Sequence, residues 1–175
     1  MKTIYWINGP YGVGKTTVAN ILKDRLTKAY IFDPELVGNA IRDNYPEEMF
    51  KETFEEYPLW LETNYKLLSD IYNKYDGDII VPMTLLREES YFQIIKRLQD
   101  DGINVDYVFL DGDEKTLYHR MVELGREEPD GWCVKHIPIC LAAQKEEKHA
   151  KHINTVDRIP EEIVDIILKE NAFLS

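Results

Sequence analysis

At 175 residues the chain has the size of one domain, large enough to bury a core without disulfides or a structural metal. Its 32 acidic against 21 basic residues leave a net charge of −11, which repels a polyanionic backbone and argues against a nucleic-acid partner. Two cysteines, Cys133 and Cys140, are too sparse for a disulfide framework. No apolar run is long enough to span a bilayer and no leader peptide is visible, so a reducing, cytoplasmic setting is expected.

The run 3–8 (TIYWIN) is β-branched and aromatic and predicts a buried strand. Directly after it stands Gly9-Pro10-Tyr11-Gly12-Val13-Gly14-Lys15-Thr16-Thr17, the phosphate-cradling pattern G-x-x-x-x-G-K followed by Ser or Thr. Val18, Ile21, Leu22 and Leu26 then recur at helical spacing and predict a helix over 15–28. With glycine at roughly 7 % of residues, a chance match in a chain this long is on the order of one in a hundred, and the strand and helix on either side lower it further. The glycines let the chain wrap round a β-phosphate with its N–H groups inward, at the positive end of a helix. Gly9, Tyr11, Gly12, Val13, Gly14, Lys15, Thr16 and Thr17 are therefore the expected ATP contacts. Lys15 would bridge the β- and γ-phosphates and the Thr16 hydroxyl would ligate Mg²⁺.

Further along, a strand is predicted at 30–33 (YIFD) and a short helix from Pro34 to about Arg42, followed by an aromatic and acidic stretch over 45–57. Pro58 opens a helix with Leu61, Tyr65, Leu68 and Tyr72 on one face, and Gly77 closes the connection. Strand 78–83, helix 88–101, Gly102, strand 104–110 and helix 113–124 continue the alternation. A broken stretch at 125–136 precedes a helix to about Ala150, a brief strand at 152–154 and a final helix at 159–170. Apolar strands alternating with helices predict an α/β, three-layer P-loop NTPase fold: five parallel strands in the order 2-3-1-4-5, helices on both faces, and the site at the carboxyl ends of the strands. One domain is expected over 1–175, with an acceptor-binding segment at about 34–75 and a lid at about 121–137. The sequence ends at Ser175 directly after the last predicted helix, which leaves no role to a C-terminal extension.

Three classes share such a loop: small-molecule kinases, GTPase switches and ATP-driven machines. A GTPase needs a D-x-x-G switch, which the sequence lacks. Asn73-Lys74-Tyr75-Asp76 spells the guanine-reading N-K-x-D, but at a helix end just before a strand, where it reads as a solvated helix terminus. A machine ATPase would end the strand beside the loop in an acidic pair, whereas 78–83 runs on into Pro82-Met83-Thr84. Thr84 could bond a phosphate or an acceptor hydroxyl, and Pro82, which cannot donate to a ladder, fits a strand opening into a site. Cys133, His136, Cys140, His149 and His152 match no compact zinc-finger spacing and read as lid and helix residues.

Asp33-Pro34-Glu35 stands where the second strand runs into its helix. The arrangement resembles small-molecule kinases of the shikimate, gluconate and chloramphenicol kinase type, which place a carboxylate there to orient the acceptor hydroxyl or to hold a metal-bound water. On that resemblance Asp33 is the first choice and Glu35 the second; helix capping is the other role open to Asp33, and the two roles are compatible. The run 113–120 followed by Arg126 is similar to the helix and lid of these kinases. The resemblance implies that Arg120 lies near the adenine and that Arg126 closes over the transferring phosphoryl group, with Arg158 as a further adenine contact. Surface pairing with neighbouring glutamates is the alternative for both lid arginines. Between the second and third strands, the rings of Tyr45, Phe50, Phe54, Tyr57, Trp60 and Tyr65 offer stacking surfaces for an acceptor. Tyr65 belongs with the core stripe; Tyr57, Trp60 and Asn64, with Glu35 and Thr84, are the substrate-binding candidates.

Four stretches together resemble the tunicamycin-resistance protein family over about residues 1–170: Trp6-Ile7-Asn8-Gly9, Asp33-Pro34-Glu35, Tyr57-Pro58-Leu59-Trp60 with Asn64-Tyr65, and Ile80-Val81-Pro82-Met83-Thr84. The resemblance implies an ATP and Mg²⁺ site beside a pocket for a nucleoside antibiotic. Phosphorylation is the first expectation and sequestration without chemistry the alternative. It leaves the acceptor's identity and the oligomeric state open.

Overall fold

The computed structural model describes residues 1–172, so the expectation about the chain's end falls outside the described residues. Its centre is β1 (Ile4–Asn8), hydrogen-bonded in parallel to β3 (Asp78–Pro82) on one side and β4 (Val105–Asp111) on the other. Two short edge strands, β2 (Ala29–Ile31) and β5 (Lys151–Asn154), complete an all-parallel sheet in the order β2-β3-β1-β4-β5. This is the α/β P-loop kinase fold expected from the order of elements.

Side chains alternate across a strand, and β1 shows why a strand buried on both faces is apolar from Ile4 to Ile7. Ile4 and Trp6 join Ile79 and Val81 beneath α3 (Pro58–Lys74) and α4 (88–100), where Leu61, Leu68, Ile94, Ile95 and Leu98 close one half of the core. Tyr5 and Ile7 face the opposite layer with Ile80, Val108 and Leu110. There they meet α1 (Lys15–Arg25), α5 (114–123) and α8 (Pro160–Ala172) through Val18, Leu22, Leu117, Ile163 and Val164. Each such side chain contributes about 1.5–3 kcal/mol by leaving water, so the two half-cores fix the sheet rigidly beneath its carboxyl edge.

Element ends differ from the periodicity where a polar group interrupts it. The helix expected over 15–28 stops at Arg25; Leu26 is extended, and the Lys28 carbonyl accepts the Asp78 N–H at 2.9 Å to lead into β2. The helix expected to reach Ala150 comprises a short turn, α6 (Trp132–Lys135), and α7 (Ile137–Glu146). It ends because the Glu147 carboxylate takes the N–H groups of His149 (2.6 Å) and Ala150 (3.1 Å) and the Tyr107 hydroxyl (2.9 Å). Asp33 caps α2 (Pro34–Asp43) by accepting the Glu35 N–H at 2.9 Å, with Pro34 at a first-turn position where its missing N–H costs nothing. The 45–57 stretch forms two single 3₁₀ turns, Glu47–Met49 and Phe54–Glu56.

Candidate active site

Because all five strands are parallel, their carboxyl ends share one edge, and the chain after β1 crosses it as the loop Gly9–Thr17. Three of its glycines have positive φ, and two are crowded as well: a Cβ on Gly9 would lie 2.6 Å from the Leu110 carbonyl oxygen and one on Gly12 2.7 Å from Met121 Cγ. Asn8, fully buried, anchors the loop. Its Oδ1 accepts the N–H groups of Gly9 (2.7 Å) and Leu85 (2.8 Å), and its Nδ2 donates to the Leu85 carbonyl and the Tyr107 hydroxyl. Thr84 Oγ1 donates to the Gly9 carbonyl at 2.9 Å, so the segment after β3 is tied to the loop twice.

Lys15 folds back beneath this loop and donates from Nζ to the carbonyls of Gly9 (2.9 Å) and Pro10 (2.8 Å), with the ammonium 5.6 Å from the centre of the Tyr11 ring. Burial pushes its pKa down to about 8 from the ordinary 10.5, and the nearby Cys140, Glu35 and Cys133 offset only part of the lost hydration. Thr16 and Thr17 stand exposed at the start of α1 and line, with Lys15, Gly12 and Gly14, a cavity of about 350 Å³. Glu35, Thr84 and Arg126 complete its wall.

The lid arginines do different things. Arg120, on the wide π-helical end of α5, donates to the Val13 carbonyl at 2.9 Å and to the Thr155 hydroxyl and carbonyl at 3.1 and 3.0 Å, linking the phosphate loop to the turn after β5. Burial, and then Arg126 nearby, lower its pKa. Arg126 reaches the phosphate cavity itself, and its guanidinium makes no hydrogen bond or ion pair among the described residues. Arg158 lies outside this group, exposed and donating to the Asn154 carbonyl at 2.8 Å. Glu127 receives the N–H groups of Cys133 and Val134, both at 3.1 Å, so the lid's acidity serves to cap α6.

A second cavity, also of about 350 Å³, adjoins the first and shares Tyr11, Glu35 and Thr84 with it. Glu35 thus stands on both walls, whereas Asp33 stands on neither and holds the turn that presents Glu35. Three sequence candidates lie behind the wall. Trp60 is fully buried and donates from its indole to the Pro34 carbonyl at 2.9 Å, fixing α2 from below. Asn64 is equally buried, donating to the Trp60 carbonyl while its Oδ1 lacks a partner among the described residues. Tyr57 is 3 % exposed and accepts the Lys51 N–H through its hydroxyl.

Other residues form the wall: Asn39 and Arg42 from α2, Lys51, Glu52, Phe54 and Glu55 from the segment after it, Met83, and Trp132 from the lid. Trp132 packs edge-on to Tyr11 at 5.2 Å and stacks on His136, whose Nε2 lies 3.2 Å from Glu52 Oε1. Buried Glu55 accepts the N–H groups of Leu86 (2.9 Å) and Arg87 (3.1 Å) and the Ser90 hydroxyl (2.5 Å); burial nonetheless holds its pKa above the usual carboxylate range. The i, i+4, i+7 spacing of Glu35, Asn39 and Arg42 was the available signal for the α2 face. Nothing local marked Glu55.

The cysteines and histidines do not converge. Cys133 borders the phosphate cavity, with its thiol pushed up to about 11 by burial and by Glu127. Cys140 lies buried, His149 stacks on Tyr91 at 4.0 Å, and His152 sits 2.8 Å from Asp111 on β5. Among the described residues no three His, Cys, Asp or Glu side chains cluster as a metal site. Asn73 and Lys74 end α3 at the sheet edge opposite the phosphate loop, where no base could reach them.

A family profile described as an AAA domain matches residues 6–152, spanning the loop, the second cavity and the segment 121–137. The chain belongs to that family. Among solved structures, this AAA-domain chain is similar to the tunicamycin resistance protein of Deinococcus radiodurans at 26 % identity and a TM-score of 0.80, covering 97 % of this chain and 95 % of that one. The likeness carried by the aromatic motifs is therefore also a likeness of fold. A gluconokinase from Sinorhizobium meliloti (18 % identity, TM-score 0.68, 99 % and 93 % covered) shares the fold. So does the APS kinase of Mycobacterium tuberculosis solved with AMPPNP and APS (17 %, 0.59, 96 % and 96 %). No curated protein matched the chain in a sequence comparison. No helix among the described residues is long and apolar enough to cross a membrane.

Proposed function

We propose that the protein is an ATP- and Mg²⁺-dependent phosphotransferase acting on a hydroxyl of a small molecule. The observation that carries this reading is that the two cavities adjoin and share Tyr11, Glu35 and Thr84 on their walls: a molecule in the second cavity would lie beside a nucleotide's terminal phosphate in the first. Kinase folds around it, one of them holding AMPPNP and APS, support the same reading. Positioning and charge neutralisation supply most of the catalysis in phosphoryl transfer. In this mechanism Lys15 leaves the loop carbonyls for the β- and γ-phosphate oxygens, and Arg126 brings an always-charged planar donor to the transferring group. Arg120 keeps the loop in shape through Val13. Glu35 holds the acceptor hydroxyl and takes its proton; Asp33 orients Glu35 through the cap and stands ready for a metal-bound water. The exposed Thr16 hydroxyl is a hard oxygen donor on the wall of the phosphate cavity and would hold Mg²⁺, which when bound would neutralise charge on the phosphates.

A nucleoside antibiotic is the acceptor kind supported by the likeness to the tunicamycin resistance protein, and the rings of Tyr11 and Trp132 offer surfaces against which a base could pack. Phosphoryl transfer from labelled ATP to a panel of nucleosides and sugar alcohols, compared between wild type, Glu35→Gln and Asp33→Asn, tests the roles. The mechanism predicts a fall in kcat of about 10²–10⁴ for Glu35→Gln and a smaller one for Asp33→Asn. Undiminished transfer by Glu35→Gln would remove this carboxylate from the chemistry.

A further inference from the structure

We infer that the acceptor carries an anionic group, a carboxylate or a phosphate, which Arg42 receives at the end of the second cavity remote from the phosphate loop. The inference rests on the phosphotransferase reading for the identity of the cavity. Glu35, Asn39 and Arg42 all line it from one face of α2. At 1.5 Å rise per residue, the two turns between Glu35 and Arg42 separate their backbones by about 10 Å. The cavity is therefore polarised, with a carboxylate at the junction with the phosphates and a guanidinium at its far end.

Arg42 is held in place. Its Nη2 donates to Asn39 Oδ1 at 2.9 Å, and its guanidinium lies 5.2 Å over the Phe54 ring, a cation–π contact that fixes the plane. The ring can lie there because residue 38 is glycine: a Cβ would come within 2.4 Å of Phe54. A guanidinium offers five N–H donors, and Asn39 is its one hydrogen-bonded partner among the described residues.

In a chain of net charge −11, three of the seven arginines are paired with carboxylates: Arg25 meets Asp165 at 2.7 Å, Arg87 meets Glu56 at 3.4 Å and Arg97 meets Glu62 at 2.5 Å. Arg42 has no carboxylate within ion-pair distance among the described residues, although Glu52 and Glu55 share its cavity. Those two acids are otherwise engaged, Glu52 with His136 and Glu55 with Leu86, Arg87 and Ser90. An oriented planar donor that faces the cavity with no carboxylate in ion-pair contact is complementary to a ligand's carboxylate or phosphate. Lys51 on the same wall adds a second positive charge.

Calorimetric titration in the presence of magnesium and AMP-PNP, which keeps the phosphate loop filled, separates the possibilities with matched pairs: gluconate against glucose, and uridine 5′-monophosphate against uridine. In wild type, at least one acid is expected to bind tenfold or more tightly than its neutral partner. Arg42→Gln should abolish that difference and Arg42→Lys, which keeps the charge but not the fork, should restore part of it; the thermal unfolding of each variant shows that it is folded. The carboxylate and phosphate arms identify the anion. Neutral members binding as well as their acids, no binding by either acid, or a preference that survives Arg42→Gln would overturn the inference. Transfer of phosphate to a neutral acceptor with no preference for acids would overturn it while sustaining the phosphotransferase reading. Arg42-dependent anion binding with no phosphorylated product from ATP would sustain it and overturn that reading instead.

Discussion

Nucleotide binding above neutral pH should draw a proton into the site. Lys15 titrates near pH 8 in the folded protein because loss of hydration on burial disfavours the ammonium despite its bonds to the Gly9 and Pro10 carbonyls. A polyphosphate placed against it favours the charged form and lifts the pKa again, so the bound state holds a proton that the free state has lost. At pH 9 only about one free site in eleven carries the ammonium, so binding takes up about 0.9 proton, against about 0.1 at pH 7. Affinity should fall about tenfold from pH 7 to pH 9, a range above the titration of a phosphate near 6. The sign for stability is the reverse: the folded chain gives up this proton near pH 8 and the unfolded chain near 10.5, so the cost of burying Lys15, about 3 kcal/mol at neutral pH, disappears as pH rises through that interval. Titration with Mg²⁺ and AMP-PNP at pH 9, in two buffers of different ionisation enthalpy, measures the uptake directly. Lys15→Met should bind more weakly and take up none. Binding that is independent of pH between 7 and 9, with no buffer-dependent heat, would refute the assignment.

Gly12→Ala forces a side chain into a positive-φ residue and against Met121, so nucleotide affinity should drop sharply in calorimetry, with a stability loss of about 1–3 kcal/mol on denaturant unfolding. Gly38→Ala displaces the Phe54 ring, and overpacking there should cost about 1–3 kcal/mol and weaken acceptor binding while AMP-PNP binding persists. Glu55→Ala removes the acceptor for Leu86, Arg87 and Ser90 and should cost about 2–4 kcal/mol, lowering Tm by about 10 °C. Burial keeps the Glu55 pKa raised, so folding takes up a proton there and its contribution is lost as pH rises through the folded value; Glu55→Gln should flatten that part of the stability profile.

The parallel sheet and the phosphate loop were readable from residues 1–22 and the alternation that follows, because buried parallel strands are largely apolar and the loop's glycines are specified by local backbone geometry; the strand order came with the P-loop pattern. Acceptor residues were harder, since an aromatic ring in a sequence does not declare which way it faces. Trp60 and Asn64 carry the strongest motif, yet their helix face turns them under α2, and their contact with Pro34 and with each other explains the motif as a means of setting α2. Arg42, Phe54 and Glu55 face the cavity through tertiary contacts with Gly38 and the segment 86–90, which lie outside any short window of sequence. Arg120 illustrates the intermediate case: the kinase resemblance implied a place near the adenine, and the structure ties it to Val13 in the phosphate loop and to Thr155 after β5.

The central claim is that a terminal phosphate in one cavity can pass to a hydroxyl in the next. Mass spectrometry and phosphorus NMR of the protein incubated with Mg²⁺, ATP and the acceptor panel test it most directly. The account predicts ADP in step with a singly phosphorylated acceptor, and neither product from Lys15→Met. Bound ATP that stays intact, with every acceptor unmodified, would contradict it.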